Sequence, residues 1–172
     1  MRSIAAMTDL IDPPAAQFLR EEVILGGMDL LLFAHKSHLR RADEALSALG
    51  LGRAHHRALY FIHRRPDLSV TDLLSLLGVT KQSLGRVLGP LVDRGFVRQR
   101  IGDRDRRQRL LSLTEAGEAL ESRLFLELRE NMARAYSLSG ANAVKGYWTM
   151  MQNLMSPETR QQFVDFHRDG SR

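Results

Sequence analysis

The 172 residues predict a mainly α-helical protein carrying one small β-hairpin, with long helices on either side of a compact middle segment. Three observations predict it. Apolar residues recur at three- and four-residue spacing along most of the chain, as amphipathic helices require. Only near residues 96–113 does that period give way to two short strand-like runs. The charge is equally localised: of a net +5, the segment Lys81–Arg109 holds nine basic residues against three acids, a net of +6 that leaves −1 for the rest. Such a stripe is the footprint of a surface that meets phosphates, although a solvated basic face without a partner has the same composition.

Each element follows in order. Asp12-Pro13-Pro14 reads as a boundary, with Asp12 an N-cap and proline tolerated in a first helical turn. From Ile24, residues Met28, Leu32, His35, Leu39, Ala42, Leu46 and Leu49 form one stripe of a long helix that Gly50-Leu51-Gly52 closes. A second helix, about Arg53 to Arg64, carries Ala58, Leu59 and Ile62, and Pro66 stops it by disfavouring helix at Arg65. Ser69 caps the next helix with Asp72 in the capping-box position, and Leu73, Leu74, Leu76 and Leu77 precede a terminating Gly78. After Gly78-Val79, Thr80 caps a helix whose Leu84, Val87, Leu88, Leu91 and Val92 share one face. Two short helices joined by such a turn make a helix-turn-helix.

Beyond Gly95, Phe96–Ile101 and Arg109–Leu113 are strand-like, and the polar turn 102–108 between them makes a hairpin with a basic tip. Thr114 caps a long helix whose Glu115 and Glu118 suit its positive N-terminal end and whose Leu120, Leu124, Leu128 and Met132 line one face. A helix near Ala141–Met155 and one from Pro157 complete the chain. The organisation expected is residues 1–52 as N-terminal segment and dimerisation helix, 53–113 as a winged helix-turn-helix, and 114–172 as further dimerisation helices.

The second helix of a helix-turn-helix enters the major groove and reads base edges with its first residues. Here these are Thr80, Lys81, Gln82 and Ser83, with Arg86 one turn on. Gln82 suits bidentate pairing with adenine, and Lys81 can donate to guanine or to a phosphate. Arg104, Arg106 and Arg107 at the wing tip suit a narrow, strongly negative minor groove. Asp105 beside them makes a poor DNA contact on charge grounds and is read as an internal partner orienting a wing arginine.

The stretches Ser69–Leu84, Leu91–Val97 and Asp105–Gly117 resemble the MarR family of bacterial transcriptional regulators. More narrowly, Gly52–Leu59 and Val79–Leu88 are similar to its PetP-like branch. The resemblance implies a homodimer of intertwined terminal helices on a pseudo-palindromic operator in double-stranded DNA. It also implies a recognition helix carrying Lys81, Gln82, Ser83 and Arg86, and a wing pair of Asp105 and Arg107. Two departures stand out. Gly102-Asp103 replaces the Asp-Pro that often opens the wing, and Pro90 cannot donate to the Arg86 carbonyl, so Gly89-Pro90 is expected to kink the helix after its reading turns.

Dimerisation has its own argument, because one such unit makes few base contacts and two units read both half-sites. Leu39, Leu46, Tyr147, Trp148, Met151, Leu154, Met155, Phe163 and Phe166 supply more apolar surface than one winged domain needs. In many family members a small anionic aromatic ligand enters a pocket between the dimer and DNA-binding parts, and His35, His38, His56 and Arg57 are the lining residues expected here. The alternative is a metal- or haem-responsive regulator using His35, His38, His55, His56 and His63, in which His35 and His38 lie one turn apart and His56 and His63 two. With no cysteine, such a site would lack thiolates, and no resident cofactor is expected. A further alternative is a protein-interaction module that keeps the fold and has lost DNA binding through Gly89-Pro90.

Other classes are disfavoured. Neither Gly-x-Ser-x-Gly, nor a phosphate-binding Gly-x-x-x-x-Gly-Lys, nor His-Glu-x-x-His, nor a dinucleotide glycine fingerprint occurs, so no enzyme is expected. Glu21-Glu22 and Asp43-Glu44 lie on polar helix faces where solvation accounts for them. Without a signal-peptide core or an apolar run of membrane-spanning length, a cytoplasmic protein with no membrane partner is expected.

Overall fold

In the computed structural model, residues 11, 17–103 and 105–169 are described. The Asp12-Pro13-Pro14 boundary and Arg104 lie outside these. The chain divides into two compact units, one ending at Leu39 and the other beginning at Arg40. The elements are α1 (Glu21–Ser47), α2 (Arg53–Arg64), β1 (Leu68–Ser69), α3 (Val70–Leu77), α4 (Lys81–Asp93), β2 (Val97–Ile101), β3 (Arg109–Leu113), α5 (Glu115–Leu154) and α6 (Pro157–Asp169). The fold is mainly α with a small antiparallel sheet.

The first unit contains most of α1, and that stretch exposes Ile24, Leu25, Met28, Leu30, Leu31, Leu32 and Phe33. Within the second unit, α1 contributes Ala42 and Leu46 to the core. Leu46, Leu59, Leu73, Leu91, Leu111 and Leu124 are each no more than 1% exposed, and each such burial contributes about 1.5–3 kcal/mol relative to exposure. Leu46 is therefore core rather than dimer surface, as is the buried Phe166. Asp43, expected to be simply solvated, takes Arg53 in a two-pronged ion pair with a shortest distance of 2.7 Å, tying the end of α1 to the start of α2. Hydrogen bonding to Asp43 raises the Arg53 pKa further.

The caps form where expected. Ser69 Oγ accepts from the Asp72 amide at 3.0 Å and donates to the Asp72 carboxylate at 2.6 Å, while Gly78 ends α3 in the left-handed conformation. Thr114 Oγ1 accepts from the Gly117 amide and starts α5. The sheet order is β1-β3-β2, with Val97 opposite Leu113 and Ile101 opposite Arg109. The sequence pattern does not foreshadow β1: two residues show no alternation, and Leu68 and Ser69 become a strand only because Leu111 and Leu110 lie opposite them. Non-helical backbone at Gly140 divides α5 where two helices are expected to meet. Gln162 on α6 reaches Ser75 on α3 at 3.2 Å, and the Phe166 ring meets Phe61 edge-on at 5.2 Å, so α6 packs on the helix-turn-helix of its own chain. Among the described residues, no helix is long and apolar enough to cross a membrane.

Candidate nucleic-acid interface

Leu84, Leu88 and Leu91 bury one face of α4, leaving Lys81, Gln82, Ser83 and Arg86 exposed on the other. Thr80 starts the helix: its hydroxyl accepts from the Ser83 amide at 3.2 Å and donates to Ser83 Oγ at 3.1 Å. Two of the named polar groups thus already satisfy each other at the helix start. Thr80→Ala is expected to cost about 1 kcal/mol of stability, read as a lowered denaturation midpoint. Arg57, expected near a ligand pocket, donates Nη2 to the Leu77 carbonyl at 2.9 Å and so braces the end of α3 beside the turn.

Helix α4 continues through Pro90 to Asp93, with the Arg94 amide donating to the Pro90 carbonyl. Proline deprives the Arg86 carbonyl of its helical partner, yet the turns that hold the exposed polar residues are N-terminal to that defect. The apolar positions on both sides of Pro90 keep the element in place, since Leu88 and Leu91 are both buried.

The wing is built by β2, β3 and the turn 102–108. At its base the Gly102 amide donates to the Gln108 carbonyl at 3.1 Å, and the Gln108 amide to the Asp105 carbonyl at 3.0 Å. A Cβ on Gly102 would lie 2.8 Å from the Asp105 carbonyl oxygen, so this tight closure requires glycine. Asp105 Oδ1 accepts from the Arg107 backbone amide at 2.9 Å. Its contact is thus with the main chain of the wing tip; the Arg106 and Arg107 side chains are exposed, and no ion pair with a described residue engages them.

Not all of the basic segment is left without partners, although its described arginines are exposed. Arg100 is held between Asp67, at 3.0 Å, and Asp103, at 2.9 Å, and its hydrogen bond holds the Asp67 carboxyl below the usual range. Arg94 donates to the Leu49 carbonyl, and Arg98 to Ser112 Oγ at 2.8 Å. Arg94 and Arg100 therefore brace the domain, which residue counting could not distinguish from a DNA-facing charge. The separation of 33 positions from Asp67 to Arg100 hides that pair from local pattern.

The five N-terminal histidines have separate environments. His35 is exposed; His38 is half-buried, and burial, with His35 adding to it, lowers its pKa. His55 Nδ1 accepts from the Gly52 amide at 3.0 Å, and burial lowers its pKa. His56 is buried in α2. His63 turns to carboxylates instead, with Nδ1 2.7 Å from Glu118 and Nε2 3.7 Å from Glu121. Among the described residues, no three His, Asp or Glu side chains gather as a metal ion needs. An open groove of about 620 Å³ runs along the second half of α5, lined by Asn142, Lys145, Gly146, Thr149, Met150, Asn153 and Leu154, and none of His35, His38, His56 and Arg57 borders it.

Comparison with known proteins agrees with this geometry. The MarR family model matches residues 49–108. The HTH-type transcriptional regulator PetP of Rhodobacter capsulatus is 44% identical over 146 residues, which span 85% of this chain and 88% of that protein. Among solved structures, the Mycobacterium tuberculosis MarR family protein Rv2887, in complex with p-aminosalicylic acid, is 28% identical with a TM-score of 0.51, covering 74% of this chain and 96% of the other. A mutant MarR from E. coli complexed with operator DNA shares the fold at 23% identity and a TM-score of 0.60, covering 80% and 99%.

Proposed function

The chain belongs to the MarR family of helix-turn-helix transcriptional regulators, and on that premise we propose that it is a homodimeric repressor of a pseudo-palindromic operator. The observation that carries this reading is the exposed Lys81-Gln82-Ser83 at the head of α4 together with a wing tip whose Arg106 and Arg107 are left to solvent. Lys81, Gln82, Ser83 and Arg86 would read base edges and adjacent phosphates, and Arg104, Arg106 and Arg107 the minor groove, with Asp105 shaping the tip. Thr80 would start the helix and touch the backbone. Occupying a promoter excludes polymerase, which makes repression the simplest output.

The second subunit is argued from unpartnered apolar surface. The seven large side chains exposed between Ile24 and Phe33 lie within ten residues, and Trp148, Met150 and Leu154 are also exposed. Such contiguous exposure marks an interface in a protein that remains in solution. Size-exclusion chromatography with light scattering is expected to give twice the 19.5 kDa chain mass at micromolar concentration; a monomer would contradict the reading. Control by a small aromatic acid belongs to the same proposal, because Rv2887 is found with p-aminosalicylic acid. Such a ligand would act by preferring one spacing of the two recognition helices.

Selection from a random-sequence duplex library tests sequence specificity. The recovered DNA is expected to share an imperfect palindrome with half-site centres about 10 base pairs apart. Recovery of no common sequence would favour the protein-interaction reading instead. The continuity of α4 through Pro90 supports the DNA-binding alternative of the two.

A further inference from the structure

Helix α5 buries Gly117, Leu120, Glu121 and Leu124 on one face. Three of these belong in a core; the fourth is a carboxylic acid 1% exposed, whose two oxygens have no hydrogen-bond partner among the described residues. A buried carboxylate without donors is costly unless a neighbouring charge compensates it or it holds a proton. The groups acting on it are His63 and Arg64 from α2 and Glu118 from α5. His63 Nε2 lies 3.7 Å away, while the other ring nitrogen is 2.7 Å from Glu118. Arg64 is held by Tyr60 Oη at 3.0 Å and by the ring of Phe166 from α6, 5.4 Å away, which brings no charge. Among the described residues, His63 is thus the one close group at this joint able to match Glu121 by taking up a proton.

We propose that Glu121 is a positioning residue: together with His63 it keeps one proton at the α2–α5 joint, and loss of that proton loosens the joint and weakens operator binding. Either the carboxyl holds the proton or the imidazole does, and both arrangements leave the pair without net charge. Once the proton leaves, a buried carboxylate faces a neutral ring and the nearby charge of Glu118. Because α2 also packs against α3, α4 and β3, a shift at this joint is passed to the recognition helix. Burial raises the Glu121 carboxyl above its ordinary range, with His63 opposing. For an acid raised in the folded state, the stabilisation is complete below the ordinary Glu range and declines as pH rises through the higher folded value.

The DNA half of this inference rests on α4 as the DNA-reading helix; the stability half does not. Two readouts separate them. Thermal denaturation of the free protein from about pH 5 to 9 is expected to show a midpoint that falls with pH in the native chain and falls less in Glu121→Gln, which keeps the shape and removes the proton site. Affinity for a duplex recovered by selection, at constant ionic strength, is expected to weaken on the order of fivefold or more across that range in the native chain and to stay level in the variant. Glu121→Met serves the same purpose should the amide fail to fold. Equal pH slopes in native and variant chains for denaturation would overturn the proton-holding joint. A flattened denaturation profile with an unaltered affinity slope would overturn the positioning role, and absence of DNA binding at every pH would count against the regulator reading while leaving the denaturation test standing.

Discussion

Gly117→Ala is expected to destabilise the chain by about 3 kcal/mol or more, read as a lower urea midpoint, even though alanine is the better helix former by about 1 kcal/mol. A Cβ at this position would lie 2.0 Å from the Phe96 carbonyl oxygen and 2.9 Å from its carbon, both main-chain atoms that cannot rotate away. The same Phe96 oxygen accepts from the Thr114 amide at 3.1 Å, and the Gly117 amide donates to Thr114 Oγ1 at 3.1 Å. Relieving the clash therefore separates the start of β2 from the cap of α5, and with it the wing from the helix that leads to the C-terminal region. A change below about 1 kcal/mol would show that this packing is looser than described.

Gln82→Ala should carry the largest effect on recognition. A bidentate pair with a base is worth about 1–3 kcal/mol of discrimination, and in a homodimer the loss occurs in both half-sites. Binding to the selected duplex is expected to fall by roughly one to four orders of magnitude with relaxed preference at one position per half-site, while binding to random DNA changes little. Arg107→Ala should behave differently, weakening selected and random DNA alike and lowering the salt slope by about one unit for each phosphate it ceases to neutralise. Its main chain is anchored by Asp105, so the tip should keep its course when the side chain is removed. Equal losses on selected and random DNA in both variants would reject this division of labour.

Much of the architecture is legible in the sequence because local chemistry and tertiary packing agree. Thr80, Ser69 and Thr114 cap the helices their positions announce, and α2 ends at Arg64, leaving Arg65 non-helical before Pro66 as the proline rule requires. The outward residues of α4 follow from the inward ones, since Leu84, Leu88 and Leu91 leave little choice of face. What escapes local reading depends on distance along the chain. Leu68-Ser69 is a strand only through β3, and Arg100 turns to Asp67 only because the fold places them together. Phe166 reads as dimer surface from sequence because its partners, Phe61 and Arg64, come from α2, about a hundred residues earlier. Glu121 does leave a local trace, sitting at the four-residue step from Gly117 and next to Leu120 on the buried face. A stripe counted only through Leu120, Leu124, Leu128 and Met132 passes it by.

Basic composition alone misstates the interface in the same way. The +6 of residues 81–109 includes Arg94 and Arg100, whose guanidinium groups are engaged by Leu49 and by Asp67 and Asp103. On the proposed reading, the charges that would meet DNA are those at the head of α4 and at the wing tip.

Hydroxyl-radical footprinting of the protein on a duplex recovered by selection tests the central claim most directly. Two protected half-sites are predicted, centred about 10 base pairs apart on one face of the duplex, with flanking minor-groove protection that disappears in an Arg106→Ala, Arg107→Ala double variant. Protection of a single isolated half-site, or flanking protection that survives removal of both wing arginines, would contradict a dimer reading DNA with α4 and its wing.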